Sequence, residues 1–142
     1  MKTLCSLLML TGLLVLFSAV PAAAQMGGNG MTFETTFPFY AGNAKMPAGS
    51  YKITQPNSDD PLLLIESTNG GHSSFLDCVA SSGVAAHPQS DVTFNKYGDT
   101  DYLNLLWIAG NSAGMQVLPS KSEELAAKKA TATKHSVPAK KQ

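Results

Sequence analysis

Arginine is missing from this sequence altogether, and its ten basic side chains are all lysine. Specific reading of phosphates or base edges leans on the bidentate guanidinium fork. The absence therefore counts against specific nucleic-acid recognition. Cysteine is almost as scarce, with only Cys5 and Cys78. Cys5 falls in an N-terminal leader, so Cys78 has no partner for an internal disulfide. The first reading of such a thiol is a small buried hydrophobe. The alternatives are a dimer bridged through Cys78 or a reactive thiol. Beyond the leader no apolar run approaches the roughly 20 residues of a spanning helix, so no transmembrane segment is expected after processing. No D-x-D-x-D-G calcium loop occurs, and Asp59-Asp60, Asp99 and Asp101 read as solvated turn acids.

What is present begins with the leader. Lys2, the apolar run Leu4 to Val20, and Pro21-Ala22-Ala23-Ala24-Gln25 have the three-part layout of a secretory signal peptide with an Ala-x-Ala site. Residues 1–24 are expected to be removed, with export to the periplasm or the extracellular space and Gln25 as the mature terminus. The rest is long enough for one domain. Its charge is uneven. Residues 25–118 carry three Lys against eight acids, a net of −5, whereas residues 119–142 carry six Lys against two Glu, a net of +4. An acidic body with a basic tail follows.

The body is organised around Asp91 to Ala109, DVTFNKYGDTDYLNLLWIA. Val92, Phe94 and Lys96 alternate with Thr93, Asn95 and Tyr97, the period of two of a half-buried strand. Tyr97-Gly98-Asp99-Thr100 suits chain reversal. The return segment Tyr102 to Ile108 is apolar on both faces except at Asn104, which places it centrally in a sheet. Upstream, QMGGNG opens a flexible lead-in (residues 25–31). Thr32 to Tyr40 then reads as a strand with Phe33, Phe37 and Phe39 on one face, kinked or at an edge because of Pro38. Further strands are expected at 44–46, 50–55, 62–66, 72–80 and 115–118. Turn signals such as Asn69-Gly70-Gly71 separate them, and Ser81 to Gln89 is a small-residue loop. The expected fold class is all-β: a small antiparallel meander barrel or sandwich of about seven strands, spanning 32–118. Ser120-Lys121-Ser122-Glu123 has a capping-box pattern and predicts a short helix within 119–130. Residues 131–142 offer few apolar groups and read as a disordered Lys-rich tail.

Chemical motifs are sparse. Gly110-Asn111-Ser112-Ala113-Gly114 fits the G-x-S-x-G nucleophile elbow, but an elbow needs a strand before it and a helix after it in a parallel sheet. Here a strand is expected to follow, so a hairpin turn is the better reading and a serine hydrolase using Ser112 a remote one. A metal site would draw on His72, Asp77, Cys78, His87 or Asp91. His72 and Cys78 share a strand face but lie six residues apart, roughly 20 Å at strand rise, far beyond a metal's first shell. No metal, cofactor or catalytic residue is therefore assigned.

The segments FPFYAGNAKMPAGSYKI (37–53) and VTFNKYGDTDYLNLLW (92–107) resemble a group of small exported proteins of soil acidobacteria. That group shows an F-x-F/V-x-x-G…L-P-A-G-x-Y-x-V opening, an F-x-x-Y-G-D…L-x-x-I/L-W hairpin and a Pro-Lys-Ser/Ala-rich helical end. Residues 33 to 128 are covered. Met46 stands where Leu is usual, and Lys121-Ser122 replaces a more basic end. The resemblance implies a secreted bacterial β-fold and brings no activity or site residue with it. The leading expectation is a secreted non-catalytic β-domain with an envelope or extracellular structural or interaction role, its partner an envelope polymer or a protein. The alternative is a barrel binding a small apolar molecule in a cavity lined by Phe33, Phe39, Tyr51 and Trp107.

Overall fold

A computed structural model describes residues 30–82, 87–110 and 112–142. Residues 1–24, expected to be a signal peptide, the lead-in as far as residue 29, the middle of the 81–89 loop and Asn111 lie outside the described residues. The chain runs β1 (Met31–Thr35), β2 (Phe39–Ala41), β3 (Ala44–Met46), β4 (Gly49–Thr54), β5 (Leu62–Ser67) and β6 (Ser73–Ser82). It continues through β7 (Asp91–Tyr97), β8 (Thr100–Trp107), β9 (Ala113–Val117), α1 (Lys121–Lys129) and β10 (Thr133–Lys141).

The sheet closes. Going round, β1 pairs β4, β4 pairs β5, β5 pairs β6, β6 pairs β9, β9 pairs β8, β8 pairs β7, β7 pairs β10, and β10 returns to β1. Every one of those pairings is antiparallel, which makes an eight-stranded barrel and not a sandwich. The β2–β3 hairpin docks beside β8 through a single parallel pair, Tyr40↔Tyr102.

The central hairpin forms where the alternation places it, with its turn at Gly98, whose φ of 61° a side chain would resist. Its return strand is apolar on both faces for a local reason. The β7–β8 register shifts between Thr93/Phe94, skipping Asn104 as a bulge, so Leu103 and Leu106 both point into the core. Tyr102 and Trp107 face outward and are nevertheless covered. Tyr40 stacks on Tyr102 with ring centroids 5.3 Å apart, and the His87 ring lies on Trp107 at 4.0 Å.

Three sequence expectations need correction. The largest concerns residues 131–142: they are not a disordered tail but contain β10, a barrel strand between β7 and β1. Its inward side carries His135, Val137 and Ala139, the last two packed against the core. A lysine-rich strand survives here because Lys134 and Lys140 point outward to water while the neighbouring strands supply the backbone partners. Second, the segment 32–40 is not one strand. β1 ends at Thr35, the chain bends through 36–38 at Pro38, and β2 lies beside β8 with Phe39 and Ala41 in the core. Third, Met31 belongs to β1 and is fully buried, not part of a flexible lead-in. The helix forms as its capping pattern predicts, with Ser120 Oγ accepting from the Glu123 amide at 3.2 Å.

Candidate functional site

The barrel interior is filled. Phe33, Phe39, Tyr51 and Phe94 interlock with centroid separations of 5.1 to 6.3 Å, and Phe37 closes against Phe94 at 5.2 Å. Met31, Ile53, Leu63, Ile65, Leu76, Leu103, Leu106 and Val92 occupy the rest of the core. Of the four aromatics expected to line a cavity, Phe33, Phe39 and Tyr51 are packing partners of one another. Trp107 is elsewhere, outside the central cluster and beneath His87. An enclosed apolar cavity among those four does not form. The Tyr51 hydroxyl donates to the Pro47 carbonyl, and burial pushes the phenol's pKa up, so it stays a protonated donor.

The opening lies in the wall. β1 and β10 pair only at Met31↔Lys141, Thr32↔Lys140 and Phe33↔Ala139. Past Phe33 the two strands diverge, and a cleft of about 690 Å³ opens between them. Pro138 explains the divergence. The Gln142 amide donates to the Gly30 carbonyl at 3.0 Å, and the Ala139 amide donates to the Ser90 carbonyl at 2.9 Å. Antiparallel hydrogen bonding alternates along a strand. Even-numbered residues of β10 therefore direct their backbone groups toward β1, and odd-numbered ones toward β7. Residue 138 should donate to Glu34, but proline has no N–H, and the ladder stops there. The same phase lets Pro138 sit inside a strand paired on both sides without costing β7 a bond.

The cleft walls come from adjacent outward positions. Pro138, Glu34, Ser50 and Thr68 form one cross-strand row, and Lys140 and Thr32 belong to the next. The inward-facing Phe33, Tyr51, Val137 and Ala139 also line it, so the cleft reaches through the wall to the edge of the core, and two of the four expected aromatics border it. Hydroxyls dominate the rim. Thr68 Oγ1 donates to the Ser50 carbonyl at 3.2 Å and Thr32 Oγ1 to the Lys140 carbonyl at 3.5 Å. Beyond the cleft, the Phe37 ring meets His135 at 5.1 Å, bracing the two strands where their ladder has been lost.

Two polar clusters flank this region. Asp101 is not the solvated turn acid expected from the sequence but a buried carboxylate on the inward side of β8; His135 Nε2 lies 2.5 Å from its Oδ1 and ties β10 across the barrel end. Asn95 Nδ2 donates to Glu123 Oε1 at 3.1 Å beneath α1. Burial holds the Glu123 carboxyl above its ordinary range, against the lowering effect of that hydrogen bond, while Asn95 Oδ1 is buried without a partner.

Other residues singled out in the sequence are dispersed. Ser112 lies in the turn between β8 and β9, two antiparallel strands, so the strand–elbow–helix arrangement is not formed. Cys78 is buried on β6, and burial, with the Asp77 charge adding to it, pushes its thiol up to about 12. A bridge between two copies through this sulfur would require β6 to leave the wall. His87 Nδ1 approaches Asp91 Oδ2 at 3.4 Å, while His72 is exposed in the β5–β6 turn. Among the described residues no three His, Cys, Asp or Glu side chains gather as metal ligands, and no helix is long and apolar enough to cross a membrane.

No family model matches the chain, and comparisons with curated proteins and with solved structures return no match. The wall cleft escaped sequence reading because it depends on the phase of Pro138 against β1, more than a hundred residues away. The lone proline in an alternating segment was its only trace.

Proposed function

We propose that this chain is an exported, non-catalytic β-barrel that acts as an envelope or extracellular interaction module, with the wall cleft as its contact face. One observation carries the reading: the core is packed with side chains, whereas a hydroxyl-rimmed opening of about 690 Å³ lies in the wall between β1 and β10. A carrier encloses its ligand; a module that meets a larger partner presents a groove. The leader sequence and the resemblance to small exported acidobacterial proteins support the location. The position of Ser112 in a β-hairpin favours the non-catalytic reading over the hydrolase one.

The test is co-sedimentation. The full chain is expressed in a bacterial host, and the mature form is followed through cell fractionation. The expected result is a periplasmic or secreted protein beginning at Gln25 that pellets with the envelope fraction. Ser50→Trp, which fills the cleft from an outward position, is expected to stay soluble with an unchanged melting temperature. Retention of the leader in the cytoplasm would refute export. Equal pelleting of both proteins would refute the cleft.

A further inference from the structure

The edge of β10 that faces the cleft is an unfinished strand, and we propose that it accepts an extended acidic peptide as an added strand. This rests on the cleft being the contact face and names the partner that fits it. β10 is paired to β7 from Thr133 to Pro138, but to β1 only from Ala139 onward. By the alternation fixed above, the N–H and C=O groups of Lys134 and Ser136 point away from β7, into the space β1 has left. Both residues are exposed, and no β1 residue pairs opposite them. Across the opening Thr36 is likewise exposed, and the Glu34 carbonyl has lost the donor that Pro138 lacks. A row of free backbone donors and acceptors beside a groove is what strand addition requires; it gives affinity through main-chain bonds and selectivity through alternate side chains.

Charge selects the occupant. The outward side chains of β10 include Lys134 and Lys140, with Lys141 at its end and Lys52 across from Thr32. Among the described residues none of these lysines lies within ion-pair distance of a carboxylate. Glu34 is the single acid in the cleft wall. A peptide laid along β10 with Asp or Glu at every second position would place its carboxylates on the outward face, beside Lys134 and toward Lys140, while its other residues turn inward onto Val137. Small residues fit that inner side, since Phe33, Tyr51 and Val137 already line it.

The experiment is an NMR titration of the ¹⁵N-labelled mature chain with an extended octapeptide of alternating Glu and Thr. Controls are the Lys counterpart, the same acidic peptide N-methylated at alternate amides, and polygalacturonate. The Lys134 and Ser136 amide signals are expected to shift with the acidic peptide and with neither peptide control. Ser136→Pro removes one cleft-facing donor without touching the β7 ladder, and is expected to weaken binding about fivefold. Lys134→Glu with Lys140→Glu is expected to transfer the preference to the Lys peptide, and provides the answer should the proline variant fail to fold. Equal binding of the N-methylated peptide would overturn strand addition. Binding of polygalacturonate alone would overturn the peptide while leaving the contact face intact. Loss of the contact face itself would instead appear as equal envelope pelleting of wild type and Ser50→Trp.

Discussion

At the scale of single residues, two positions report on how tightly the wall is built. A Cβ added at Gly114 would lie 2.7 Å from the Leu106 carbonyl oxygen and 2.9 Å from Trp107 Cε3. The first neighbour is backbone, and the ring of Trp107 is held from its other side by His87. Gly114→Ala should therefore push β9 away from β8 and cost about 1–3 kcal/mol, read as a lower melting temperature; an unchanged value would mean the Trp107 ring does not cover β9. Glycine in a G-x-S-x-G string thus has a packing reason that owes nothing to a nucleophile. Glu123 gives the second report. With its folded pKa raised above the ordinary 4.5, the folded chain holds this proton more tightly than the unfolded chain does. Its contribution is present in full at acid pH and is lost as pH rises through the raised value. Glu123→Gln keeps an acceptor for Asn95 Nδ2 and adds a donor for Asn95 Oδ1. We expect the variant to be more stable than wild type at pH 7, with a flatter stability profile between about pH 4.5 and 7, by urea titration across that range. Wild type gaining stability over that interval relative to the variant would show that the carboxylate is favourably paired.

At the scale of elements, β10 decides the architecture. Without it β7 and β1 would each expose an edge, and the eight-strand closure would be broken. A chain ending at Ala130 is expected to lose the cooperative thermal transition and most of its β signal by circular dichroism. A truncated chain that melts like the full one would reduce β10 to an appendage. The element was hard to see for a physical reason. Thr133, His135, Val137 and Ala139 do alternate with Lys134, Ser136, Pro138 and Lys140, but the apolar side is weak, and Val137 is its only large aliphatic member. Such a strand is held by neighbours on both sides, and those contacts are long-range. By contrast, β7 and β8 carry strong alternation and a local turn. The helix likewise announced itself through Ser120 and Glu123, residues that cap it by their own local chemistry. The break between β1 and β2 was legible as a kink at Pro38; that β2 would part from β1 and meet β8 in parallel was not, since a single pair, Tyr40↔Tyr102, joins them.

At the scale of the whole molecule, the two ends of the domain lie side by side, with the Gln142 amide on the Gly30 carbonyl at 3.0 Å. The acidic body and the basic tail seen in the sequence are therefore not separate parts. The tail closes the body, and His135 reaches the buried Asp101 as it does so. Closure that needs the final residues also implies high contact order and comparatively slow folding. The same junction is both the last seam of the barrel and the place where the wall opens, because Pro138 interrupts the ladder after three pairs. The packed core and this opening in the wall are the observations behind the proposed contact role.

Residue-resolved amide hydrogen exchange along β10 tests that arrangement most directly. The amides of His135, Val137 and Ala139, bonded to β7 and the segment before it, are predicted to exchange slowly, while those of Lys134 and Ser136, which face the cleft, exchange fast. Uniformly fast exchange from 133 to 141 would return these residues to a solvated tail, and uniform protection would mean that the wall is sealed and has no cleft to offer.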